Sequence, residues 1–132
     1  MVNDVVLNKK SVVERCLKRI REEYDNTPSN LDDFTKQDSI ILNIQRAIEA
    51  CIDLAMHIVS QKRLGIPQSS RDAFDLLYQN GIIKEMSALK MKSMIGFRNL
   101  AVHDYQKLNL DVLKRILESH LGDFDAFIDE IK

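Results

Sequence analysis

Apolar residues recur with helical spacing almost from end to end of this chain, and nowhere do they alternate with period two over a useful length. From about Asp4 to Tyr24, Val6, Val13, Leu17, Ile20 and Tyr24 follow at steps of seven, four, three and four, which places them on one face of a first helix, widened by Val12 and Cys16. Asp25 to Asp33, with Asn26, Pro28, Ser29 and Asn30, reads as a loop, because proline and asparagine break helices and favour turns. Thr35-Lys36-Gln37-Asp38 has the form of a capping box, in which a hydroxyl and an acid satisfy orphan backbone donors, and it predicts the start of a long second helix. There Ile40, Ile41, Ile44, Ala47, Ile48, Cys51, Leu54, Ala55, Ile58 and Val59 make a stripe wide enough for the middle of a bundle. Gly65 and Pro67 are expected to end it.

Ser69-Ser70-Arg71-Asp72 reads as a second cap, opening a short helix with Phe74, Leu77 and Tyr78 that stops near Asn80-Gly81. A fourth helix starts near Lys84, with Met86, Leu89, Phe97 and Leu100 on one face and Met91, Met94, Ile95 and Val102 on another. A helix apolar on two faces must be buried on two sides. The second neighbour is either a partner subunit or another helix of the same bundle. A last helix runs from an Asn109 cap through Leu113, Leu117, Leu121, Phe124, Ile128 and Ile131. The pattern predicts an all-α, up-and-down bundle of four main helices and one short one, and 132 residues suit one domain over the whole of 1–132.

Composition narrows the classes. Hydrophobic residues at 45% and charged residues at 30% exclude a disordered chain. With 19 Lys+Arg against 20 Asp+Glu, the net charge of -1 supplies no overall field for polyanions, so any RNA contact must be local. Met1 to Lys10 has Asp4 among its apolar residues and no small-residue cleavage site, and no apolar run approaches the roughly 20 residues that span a bilayer. A cytoplasmic location without membrane contact is expected. Cys16 and Cys51 fall inside apolar helical patterns, where a thiol behaves as a small buried hydrophobe rather than a zinc ligand or a nucleophile.

Candidate chemistry concentrates in Gly96-Phe97-Arg98-Asn99-Leu100-Ala101-Val102-His103-Asp104-Tyr105, at the end of the two-faced helix. Polar groups there must pair with one another, face solvent, or line a pocket, because burying them unpaired costs several kcal/mol. In a continuous helix Asn99 and His103 stack at i,i+4, while Arg98 and His103 point about 140° apart. Both address one phosphate only if the helix loosens near His103 or a groove wraps its end. The residue types suit RNA cleavage: a guanidinium grips phosphate and an imidazole carries a proton near neutral pH. Internal transesterification needs a base and an acid and in principle no metal. One chain offers one histidine here, and a homodimer would supply two. A purely structural Arg–His cluster is the competing reading.

Arg98, four intervening residues and His103 match the Arg-x4–6-His signature of HEPN ribonucleases, and the extension to Tyr105 resembles the Arg-x4-His-x-Tyr form of HepT toxins. The resemblance covers nearly the whole chain, including Glu49, Ala50, Asp53 and His57 on the second helix and the Gly65-Ile66-Pro67 turn, and no key residue departs from it. It implies a homodimer with two motifs lining a shared cleft, and a metal-independent endoribonuclease with Arg98 and His103 central and Asn99 as helper. It also implies the toxin role in a type VII HEPN/MNT toxin–antitoxin pair, whose minimal nucleotidyltransferase antitoxin uses ATP to transfer AMP onto Tyr105. No bound cofactor is implied. The alternative is a non-catalytic dimeric binding protein that serves as partner and substrate of the transferase.

Other constellations carry less. Glu49, Asp53 and His57 at i, i+4 and i+8 could in principle recruit metal, but such a row is more often the solvated face of an amphipathic helix. His120, beside the last apolar stripe, reads as structural. Lys90, Lys92 and Lys107 flank the motif helix and read as solvated lysines before phosphate contacts.

Overall fold

Twelve buried residues on one long helix decide the arrangement. The computed structural model describes residues 4–131 and is helical, with no strand among them; Met1, Val2, Asn3 and Lys132 lie outside the described residues, and with them the start of the segment read above as lacking a cleavage site. Helix α1 (Asp4–Tyr24) packs along α2 (Phe34–Gln61), burying Val13, Cys16, Leu17, Ile20 and Tyr24. Helices α3 (Ser70–Gln79) and α4 (Glu85–His103) also pack on α2. The chain closes with α5 (Leu110–Arg115), one π turn (Ile116–His120) and α6 (Leu121–Glu130). No helix among the described residues is long and apolar enough to cross a membrane.

Two boundaries differ from expectation. The loop after α1 contains a tight 3-10 turn, Pro28–Asp32, whose Leu31 is buried. That turn leaves Asp33 extended, the backbone state an N-cap requires, so Asp33 rather than Thr35 caps α2 by accepting from the Lys36 N–H at 3.2 Å. Thr35 and Asp38 therefore lie inside the helix, and Asp38 is free for another use. At the other end, α2 stops before Gly65 and Pro67. Arg63 takes a left-handed φ of 54°, and the Arg63 and Leu64 N–H groups return to the Ser60 and Val59 carbonyls, a Schellman ending with arginine where glycine is usual.

The remaining caps hold the motif helix in place. Ser69 accepts from the Asp72 N–H and Asn109 from the Asp111 N–H, as the sequence predicts. Lys84 has no side-chain cap of its own to offer α4. Glu130 of α6 does that work, accepting from the Lys84 N–H at 2.6 Å and from Ser87 Oγ. Phe74 of α3 meets Phe127 of α6 edge-on at 5.3 Å, both fully buried. Leu113, Leu117 and Leu121 are spaced by four, and each such step drifts about 40° from the α-helical repeat. The wider π turn absorbs this drift and keeps all three buried. It also carries Glu118 to the Tyr24 hydroxyl at 2.7 Å, fastening the end of α1.

Candidate functional site

Helix α4 stays regular through His103, and the Asp104 N–H still reaches the Leu100 carbonyl at 2.9 Å. No loosening brings Arg98 round to His103, so within one chain the two side chains leave the helix about 140° apart. Arg98 is half-buried, and its Nε–H is a buried donor without an acceptor. Leaving such a donor open costs about 1–3 kcal/mol. His103 is exposed, as is Asn99 one turn before it. The arginine thus sits at the packed side of the helix end and the histidine on its open side.

That open side carries a regular seam. Met86, Leu89, Ser93, Gly96, Leu100 and His103 follow at steps of three and four, the spacing with which a helix meets another helix along a shallow crossing. Met86, Leu89 and Leu100 are 60%, 48% and 40% exposed. Of the two apolar faces expected on α4, the one with Met91, Met94 and Ile95 is buried in the chain's own core. The other is open except for Phe97, and Val102, assigned above to the buried face, is exposed at the helix end. A groove of about 370 Å³ between α4 and α5 continues the open face, lined by Met94, Phe97, Leu100, Val112 and Ile116.

Tyr105 follows the helix on a single 3-10 turn, Tyr105–Lys107. Its hydroxyl donates to Asp38 Oδ1 of α2 at 2.5 Å. Partial burial, reinforced by the hydrogen bond and charge of Asp38, pushes the phenol up to about 12. The ring remains exposed and borders a groove lined by Asp38, Ile41, Leu42 and Gln45. Asp38 escaped the reading of the sequence. Its local signal was that of a cap, and the contact joins residues 67 positions apart.

The other constellations resolve into structural pairs. Asp53 binds Lys9 at 3.0 Å and Glu49 accepts from Gln45, and no cluster of three metal-ligating side chains occurs among the described residues. Asp123, buried, meets both Lys90 at 3.2 Å and His120 at 2.8 Å, which gives His120 its structural place. Lys92 pairs with Asp75, and Lys107 with Asp104 in a more exposed bridge. Both cysteines are buried, and burial pushes their thiols up, away from the reactive thiolate.

Comparison with known proteins gives a consistent set. The family profile described as Ribonuclease HepT-like matches residues 13–131. The mRNA nuclease HepT of Shewanella oneidensis is 53% identical over 131 residues, covering 99% of this chain and 98% of that protein. The solved structure of the tri-AMPylated Shewanella oneidensis HEPN toxin in complex with MNT antitoxin superposes with a TM-score of 0.93 at 52% identity, over 98% of this chain and 97% of that one. A cytosolic protein of unknown function from Bacillus subtilis, YutE, shares the fold alone, with a TM-score of 0.83 at 17% identity over 96% of this chain and 85% of that one.

Proposed function

The chain belongs to the HepT-like ribonuclease family, and from that membership we propose that it is the RNA-cleaving toxin of a HEPN/MNT toxin–antitoxin pair, acting in the cytoplasm and silenced by AMP transfer onto Tyr105. The observation that carries the reading is the end of α4, where a half-buried Arg98 and an exposed His103 imidazole stand five residues apart.

In the cleavage step a ribose 2′-hydroxyl attacks the adjacent phosphorus, the phosphate takes on negative charge, and the 5′-oxygen of the next nucleotide leaves. His103 moves the proton at the attacking or leaving oxygen. Arg98 meets the growing charge with fixed N–H donors, and Asn99, beside His103, hydrogen-bonds the strand. No metal is required, because the nucleophile is internal and both proton transfers fall to side chains.

One chain supplies one histidine to the motif, and Arg98 and His103 diverge on it, so the working cleft takes two copies. The exposed seam of α4 supports this, since Ser93 and Gly96 at its middle let a second helix approach closely while Met86, Leu89 and Leu100 fill the ends. A Cβ on Gly96 would meet only the tip of Arg71 at 3.7 Å, so nothing within the chain demands glycine there. Leu89→Asp tests the arrangement. The residue is exposed in the single chain, so the variant should fold, whereas a carboxylate in a helix seam loses several kcal/mol of solvation. In sedimentation the wild type should run as a dimer and Leu89→Asp as a monomer without RNA cleavage. A wild type that stays monomeric at micromolar concentration would remove the shared cleft.

Neutralisation follows from position. Tyr105 lies two residues beyond His103, and an adenylate on its hydroxyl brings bulk and negative charge to the mouth through which RNA must pass. The Shewanella toxin, tri-AMPylated and in complex with its MNT antitoxin, supports the same partner for this chain.

A further inference from the structure

We propose that Asp38 is the general base for AMP transfer onto Tyr105, holding the hydroxyl in place and taking its proton as the new bond forms. The inference rests on the reading of Tyr105 as the AMP acceptor.

A phenol pushed up to about 12 is a poor nucleophile at neutral pH, where roughly one molecule in 10⁵ carries the phenolate. Waiting for that ionised fraction would slow transfer. The group that contributes to the upward shift also offers the remedy, because Asp38 Oδ1 already accepts the hydroxyl proton at 2.5 Å. Committing the only proton to Asp38 turns the oxygen's lone pairs away from the carboxylate, and the 44% exposure of Tyr105 leaves them reachable. In the step, Tyr105 Oη attacks the α-phosphorus of ATP and an O–P bond forms. The bond from the α-phosphorus to the oxygen bridging to the β-phosphate breaks, and pyrophosphate leaves with its electrons. The phenolic proton passes to Asp38, which is exposed and can release it to water.

The other two tyrosines also have carboxylate partners but differ from Tyr105 in access or in place. Tyr24 donates to Glu118 at 2.7 Å but is 3% exposed, so no nucleotide reaches it. Tyr78 is exposed, yet it meets Glu85 only at 3.3 Å and lies outside the motif. Tyr105 combines a carboxylate partner with exposure inside the motif.

The test measures AMP addition by intact mass, using the nucleotidyltransferase partner and ATP from about pH 6.5 to about pH 9.5, on the wild type, Asp38→Asn, Asp38→Glu, Glu85→Gln and Tyr105→Phe. Asp38→Asn should slow transfer by roughly 100-fold at neutral pH, and its residual rate should climb about tenfold per pH unit as phenolate accumulates. Asp38→Glu should restore part of the rate, and Glu85→Gln should match the wild type. Without the partner, the wild-type minus Tyr105→Phe absorbance titration should place this phenol near 12, and Asp38→Asn should lower it by the share that Asp38 adds, burial still holding it above an ordinary tyrosine. Asp38→Asn reacting at the wild-type rate with the wild-type pH profile, or reacting faster, would overturn the proposal while leaving Tyr105 as acceptor. No AMP on the wild type, or full AMP on Tyr105→Phe, would overturn the reading beneath it and the proposal together.

Discussion

His103→Ala should abolish growth arrest on expression without the partner and lower RNA cleavage by about 10²–10⁴-fold, the usual worth of a positioned proton carrier. The effect should be at the upper end, because the proposed two-copy cleft would lose both its imidazoles at once. His120 is engaged with buried Asp123, and His57 lies half-buried on α2. The substitution should leave the fold intact. His103 is exposed, ends its helix, and alanine is a strong helix former, so circular dichroism and sedimentation should match the wild type. Growth arrest that survives in the alanine variant would favour the non-catalytic binding protein.

Tyr105→Phe should produce the opposite phenotype, a toxin that its partner no longer restrains. The ring stays and only the hydroxyl goes, so the variant loses one exposed hydrogen bond to Asp38, on the order of 1 kcal/mol at most. Cleavage should persist in part or in full, since the proposed proton transfers do not use this hydroxyl. With partner and ATP present, intact mass should show no added AMP, and cells carrying both proteins should arrest as they do with the toxin alone. AMP gain on the phenylalanine variant would place the main acceptor elsewhere.

The helices were legible in the sequence wherever burial sets a one-sided pattern. The stripe from Ile40 to Val59 and the one from Leu113 to Ile131 both appear as buried faces, because a packed helix cannot hide its period. Boundaries set by competition were less legible. Asp33 and Thr35 are both competent caps, and the outcome turned on the 3-10 turn before them, which no propensity announces. Arg63 ended α2 in a conformation that the sequence pattern reserves for glycine. The π turn in the last helix left a trace only in the repeated spacing of four. At the site, the candidates Arg98, Asn99, His103 and Tyr105 came from one local segment, whereas Asp38 came from a contact between distant helix ends. Local pattern contains no information about such a contact. The charge balance of -1 was a weak guide, because it averages over a whole surface, whereas the proposed chemistry falls to a few groups at one helix end.

RNA cleavage by the purified wild-type protein in excess chelator, with His103→Ala beside it and the product ends identified, tests metal-independent cleavage through His103 most directly. Cleavage should survive the chelator and leave 5′-hydroxyl and cyclic or 3′-phosphate ends, and RNA should stay intact with the alanine variant. Cleavage that stops in chelator and returns with a divalent ion, or that proceeds equally in the alanine variant, would contradict it.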